Sequence, residues 1–245
     1  MPKWLRGYFL MVKWTFLSYR PWLSLNFAVQ IGIAIGFIYG ISFFYPAITP
    51  EIAKYLTTGA PTLILLVAGF VIGPQIIASA RLEGTFDYIW SLPVGRMSHL
   101  AADATTMFGS TLPGIVLPVI LGTIHFDFSL DISLLVIPAV VLIAMSGSFL
   151  GYSIAFLVPK PMMVMVITQI FSFAVMLFSP VMFPAERLPD WLQAIHKVLP
   201  IQYMADLSRG TLTDLDVNLG LAFIVVGAWC VVGFIITTIV VNRRQ

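Results

Sequence analysis

The sequence predicts an all-α membrane protein with six transmembrane helices, and three observations carry that prediction. Apolar residues make up 59% of the 245-residue chain and charged ones 10%, against about 45–50% and about 25% in ordinary water-soluble domains. Six separate apolar runs are each long enough, at about 1.5 Å of rise per residue, to cross about 30 Å of hydrocarbon. None shows the alternation of a barrel strand, so helices that satisfy their own backbone hydrogen bonds are the remaining way through lipid.

Residues 1–22 precede the first run and read as an interfacial helix. Leu5, Phe9, Val12 and Phe16 recur at helical spacing, and Arg6, Lys13 and Arg20 stand seven apart beside them. Such a helix lies in the headgroup region with its apolar stripe down and its basic side chains reaching anionic lipid; a positively charged topology anchor is the simpler and compatible reading. The segment carries Trp4, Tyr8, Trp14 and Trp22, and the run after it is too long for a signal-peptide core, so it reads as retained.

The six-helix membrane domain then occupies 23–245, with spans expected at Leu23–Tyr45, Thr57–Ala78, Leu100–Ile124, Ile132–Leu157, Met162–Phe183 and Val217–Val241. Glycines four apart, Gly32/Gly36/Gly40 in the first, Gly69/Gly73 in the second and Gly147/Gly151 in the fourth, predict close helix crossings. Pro113, Pro118 and Pro138 predict kinks in the third and fourth. Amides inside apolar spans ask for a reason: Asn26, Gln30, Gln75 and Gln169 are candidates for a weakly polar substrate route, with interhelical hydrogen bonding as the alternative. Asp103, near the start of the third span, reads as a capping or pairing group at the interface. The one cysteine, Cys230, rules out a disulfide framework and reads as a small core residue.

Basic residues orient the chain. With the amino terminus inside, nine Lys and Arg fall on inner segments and four on outer ones, which places both termini in the cytoplasm of a multi-pass cell-membrane protein. Two polar segments then face opposite sides. The inner one, about 81–92, sets Leu82, Phe86, Ile89 and Trp90 on one helical face, with Arg81, Glu83, Thr85 and Asp87 elsewhere. Like charges four apart cost a helix a few tenths of a kcal/mol, so Glu83 and Asp87 suit a basic partner surface better than solvent; an ordinary solvated loop is the alternative. The outer one, about 185–212, holds two short helices divided by Pro200, too short to cross and suited to re-entrant half-helices or to an interfacial lid.

Glu83-Gly84-Thr85 followed by Ser91-Leu92-Pro93-Val94 resembles the E-G-T and L-P-V elements of ABC-2 type exporter permeases, also called type V. Pro200, Tyr203, Asp206 and Arg209 are similar to that family's P-x-x-Y-x-x-D-x-x-R pattern before the last span. The resemblance implies that Arg6, Lys13 and Arg20 belong to a connecting helix. It implies that Arg81, Glu83, Gly84, Thr85 and Asp87 form a coupling helix for a separate cytoplasmic ATPase, and that Pro200, Tyr203, Asp206 and Arg209 form an extracellular gate. It further implies two ATPase copies, which hold the ATP and Mg, and a second permease, by default an identical copy. It assigns nothing to Trp90 or Arg96.

The chain has no G-x-x-x-x-G-K-[ST] phosphate cradle, so no cofactor is expected in it, and neither a metal site nor nucleic-acid binding is read from it. Its expected role is a non-enzymatic permease for an amphiphilic or hydrophobic substrate such as a drug, lipid or glycan. An ion-coupled secondary transporter, acting without an ATPase, is the alternative, weakened by the lack of a midplane carboxylate. An intramembrane enzyme is disfavoured because His99, His125 and His196 are scattered and Ser146 and Ser148 have no evident partners.

Overall fold

The computed structural model describes residues 3–43, 48–92 and 94–243, and within these not the side chains of Lys3, Trp22, Leu23, Ser24, Asn26 and Arg243. Its described residues form α-helices joined by short connections: α1 (Lys3–Ile35), α2 (Pro50–Val67), α3 (Gly73–Leu82), α4 (Thr85–Ser91), α5 (Arg96–Phe126), α6 (Val136–Leu157), α7 (Pro161–Phe178), α8 (Asp190–His196), α9 (Pro200–Leu212) and α10 (Leu219–Arg243).

Among the described residues, five helical stretches are long and apolar enough to cross a membrane: Pro50–Leu82, Arg96–Phe126, Val136–Leu157, Pro161–Phe178 and Leu219–Asn242. The first predicted span appears as the shorter apolar stretch Phe27–Gly40, and its expected end at Tyr45 lies outside the described residues. The division expected at residue 22 is not a break, because α1 runs continuously through Pro21; one missing N–H is tolerated where neighbouring groups can take up the freed carbonyl.

The second span differs from expectation at both ends. Thr49 caps α2, its hydroxyl accepting from Ile52 N at 3.3 Å, and Pro50 supplies the first residue, so the helix starts seven residues before Thr57. A π-helical turn at Ala68–Ile72 links α2 to α3 just before Pro74, whose ring and missing N–H do not fit an ideal α-turn. The rod continues to Leu82, where Gly84, at φ 75°, turns the chain. The helix expected over about 81–92 is therefore the shorter α4, and Leu82 falls off its apolar face and is 52% exposed. The polar segment expected over about 185–212 resolves into a 3-10 turn at Ala185–Arg187, then α8 and α9, set apart by Pro189 and Pro200.

Packing centres on the π-turn of the second span against α6. A Cβ on Gly69 would stand 2.6 Å from the Gly147 carbonyl carbon, and one on Gly151 would stand 2.1 Å from the Gly69 carbonyl oxygen. Backbone meets backbone there. Leu63, Leu66, Phe70, Ile143, Met204 and Val226 close the core around this crossing. α5 lies along α1, and α10 along α6. Large apolar side chains stay outside, among them Ile170, Phe173 and Leu177 on α7 and Ile224 and Val231 on α10, as lipid-facing helices require.

By contrast, added Cβ atoms at Gly32, Gly36 and Gly40 meet nothing within 4 Å among the described residues. Gly151→Ala should therefore cost about 1–3 kcal/mol, seen as a lower melting temperature in detergent. Gly32→Ala and Gly36→Ala should leave the isolated chain's melting unchanged or slightly raised.

Candidate functional site

The short helix α4 is seated in an aromatic socket. Phe86 stacks on Trp90 with centroids 4.3 Å apart, and the two rest on Phe156 of α6 at 6.1 and 6.0 Å. Trp90 also meets the His99 ring edge-on at 6.0 Å. Arg96 lies 5.7 Å from the Trp90 centroid and donates to the Val241 carbonyl at 3.0 Å, tying the start of α5 to the end of α10. Trp90 and Arg96, unassigned by sequence, are thus seating residues. The signal available for Trp90 was its place on the apolar face. For Arg96 there was none, because its acceptor is 145 positions away.

The predicted coupling residues separate into two groups. Arg81, in the last turn of α3, donates to the carbonyls of Ala155 (2.9 Å), Val158 (3.2 Å) and Pro159 (2.6 Å). A helix end leaves its last carbonyls without intrahelical donors, and Arg81 serves those at the end of α6. Glu83, Gly84, Thr85 and Asp87 are exposed, together with Tyr88 at 66%, which sequence reasoning did not single out. Pro93 of the L-P-V element lies outside the described residues.

Further into the bundle, Thr15 of α1 donates to Asp103 Oδ1 at 3.1 Å, while His99 Nε2 stands 3.4 Å from Asp103 Oδ2. The pairing expected of Asp103 therefore joins α1 to α5 just under the seat of Trp90. Of the row Arg6, Lys13 and Arg20, all three are exposed; α1 meets the bundle through Met11 and Thr15 instead, leaving Phe9 and Phe16 about half exposed.

The four amides predicted along a route do not share one site. Gln30 is 5% exposed; its Nε2 donates to Ser110 O at 2.7 Å and its Oε1 accepts from Gly114 N at 2.5 Å. Those are the two backbone groups that one α-helical turn would pair with each other, so Gln30 supports α5 beside Pro113. Gln75 donates to the buried Thr168 hydroxyl at 3.0 Å, fastening α3 to α7. Gln169 is exposed on the outer side of α7 near Val166 and Ile170. The Asn26 side chain is outside the described set. Gln30 borders a cavity of about 400 Å³ between α1, α2, α5 and α7, lined also by Tyr19, Leu63, Val67, Met107 and Val175, and by no charged residue among those described. Such a mostly apolar cavity with a few convergent polar groups is the usual form of a small-molecule site.

At the opposite end Arg209 of α9 is 2% exposed and holds four groups. Its Nη1 donates to Asp206 Oδ1 at 3.0 Å, its Nη2 to the carbonyls of Pro180 (2.8 Å) and Val181, and its guanidinium sits 4.2 Å from the Tyr55 ring centroid. Burial pulls the Arg209 pKa below its usual value and pushes that of Asp206 up, each partly offset by the other's charge. Tyr203 Oη donates to Lys197 O at 2.9 Å, and Pro200 begins α9. Lys54 pairs with Asp214 nearby. The spacing-derived set Pro200, Tyr203, Asp206 and Arg209 therefore lies on one short helix that pins the α7–α8 connection.

A model of the family described as ABC-2 type transporter matches residues 6–213. The chain belongs to the ABC-2 type transporter family. A search of curated proteins finds no match. The matched stretch takes in the basic row of α1, the seated α4 and the Arg209 cluster. Together with the five apolar helices, it identifies the chain as a multi-pass ABC permease.

In this ABC-2 permease Arg209→Gln should cost about 3–5 kcal/mol by stranding Asp206 and two carbonyls, read as accelerated hydrogen exchange around residues 179–184. A second prediction concerns His196, buried at 4% exposure with a ring nitrogen 2.9 Å from Phe178 O. Burial lowers its folded pKa, an effect the Phe178 hydrogen bond opposes. Stability is therefore full above the unfolded value of about 6.5 and falls as pH drops through it. Melting followed from pH 8 to pH 5 should show that decline, and His196→Gln should flatten it.

Proposed function

We propose that the chain is the transmembrane subunit of an ATP-driven exporter, forming the pathway for an amphiphilic or hydrophobic substrate and driven by a separate cytoplasmic ATPase. In this reading the bundle has six spans, with α1's apolar stretch as the first, and both termini and α4 lie in the cytoplasm. α8 and α9 dip into the outer leaflet as re-entrant helices whose Arg209 latch closes the top of the route. The working assembly pairs two permeases, by default identical, with two ATPases that carry ATP and Mg.

One observation carries the proposal: α4 turns two faces to two different media. Phe86 and Trp90 are partly buried against the Phe156 socket while Glu83, Asp87 and Tyr88 are exposed. Asp87 on the exposed side of this seven-residue helix and Glu83 at the turn before it form an acidic surface that suits a basic partner, and the socket ties its motion to α6, α5 and α10. The uncharged cavity beside Gln30 supports an apolar cargo moiety, because a charge there would have no counter-ion and burying one unpaired is costly.

Co-purification with the partner ATPase and ATP hydrolysis in lipid tests the contact. Glu83→Lys with Asp87→Lys should abolish co-purification or cut permease-stimulated hydrolysis at least about tenfold, a change of about 1.4 kcal/mol in coupling. Unchanged assembly and hydrolysis would remove this face from the contact.

A further inference from the structure

A second cavity, on the other side of α1, carries an inference independent of the exporter reading. Between α1 and α5 lies a crevice of about 600 Å³ lined by Phe9, Lys13, Phe16, Phe27, Thr105 and Pro113. Its walls are mostly apolar. Lys13 and Thr105 give one end its polar groups, beside Phe9 and Val12, and Phe27 and Pro113 belong to the apolar stretches that follow in each helix. Gly109 also borders it, and a Cβ added there meets nothing within 4 Å among the described residues, so no described side chain closes the wall at that point.

The hydroxyls of the polar end are already committed. Thr105 Oγ1 donates to Ala101 O at 2.8 Å, Thr106 Oγ1 donates to Ala102 O at 2.9 Å, and Tyr8 Oη is paired with Thr105 Oγ1 at 2.8 Å. Lys13 forms no ion pair among the described residues. Its ammonium is the donor left for an incoming anion.

We infer that this crevice binds one anionic phospholipid, with its phosphate on the Lys13 ammonium and an acyl chain along Phe16, Phe27 and the wall at Gly109. Charge complementarity decides the occupant. Arg6 and Arg20 extend the exposed basic row on either side of Lys13, and such rows concentrate anionic lipid at a membrane surface. A lipid is also the one amphiphile whose head and tail are supplied at these two depths without a transport step. The neutral cavity on the opposite side of α1 shares only Ser110 with this crevice and offers an anion no cation.

The test uses native mass spectrometry of the purified full chain in detergent, titrated with phosphatidylglycerol or with phosphatidylcholine of the same acyl chains. Wild type should retain one phosphatidylglycerol in preference to phosphatidylcholine. Lys13→Gln should weaken phosphatidylglycerol retention about tenfold or more, beyond the roughly fivefold that one cation contributes by diffuse attraction. Arg6→Gln and Arg20→Gln should each stay within that diffuse effect. Gly109→Leu and Gly109→Phe should weaken retention of both lipids with the melting temperature kept, two sizes guarding against a misfolded variant. The inference is overturned if Lys13→Gln does no more than Arg6→Gln, or if both Gly109 variants fold and retain lipid as wild type does. It is equally overturned if ATP hydrolysis by a co-purified ATPase empties the crevice, which would make the occupant cargo.

Discussion

The crossing of the second span over α6 is the contact on which the remaining packing depends. With Gly151 facing the Gly69 carbonyl and Gly147 against the Gly69 backbone, the two helices approach as closely as main chains allow. In lipid no hydrophobic effect presses helices together, so close van der Waals contact supplies the association. The π-turn at Ala68–Ile72 lies at this point, and its widened backbone both reaches α6 and accommodates Pro74. Any side chain larger than hydrogen at Gly69 or Gly151 would part the helices and loosen the core at Phe70 and Ile143.

From that fixed crossing the two ends of the bundle are held by the same device. Arg81 and Arg209 each spend their guanidinium donors on backbone carbonyls, at Ala155, Val158 and Pro159 in one case and at Pro180 and Val181 in the other. Helix ends and connections expose unpaired carbonyls, and near a membrane those groups have little water to turn to. A planar cation with five donors meets several at once. Arg81, expected in the coupling helix, and Arg209, expected in the gate, are here part of the frame, and acidic Glu83 and Asp87 are left exposed.

Helical periodicity made the seated face of α4 legible, because Phe86, Ile89 and Trp90 recur at the spacing of one side of a helix. Leu82 was misplaced by the same rule: Gly84 in the left-handed region resets the phase, and a pattern count cannot see a reversal of φ. The Arg209 cluster was visible as a motif, since Asp206 and Arg209 are a turn apart and their ion pair is local. Its reach to Tyr55 was not, because that ring lies on another helix. The amides were legible as unusual in apolar spans, yet nothing in the sequence distinguishes Gln30, buried against α5, from Gln169, exposed on α7.

The sequence by itself determined the class of solvent and the element type, because lipid admits few backbone solutions and length with apolarity selects among them. It also determined which loops carry charge and where short helices interrupt them, through proline and glycine. Tertiary structure alone decided which polar groups are consumed by the frame and which stay available. Pairing depends on distance across helices, and Arg81 with Pro159, Gln30 with Gly114, and Thr15 with Asp103 lie 78, 84 and 88 positions apart in the chain.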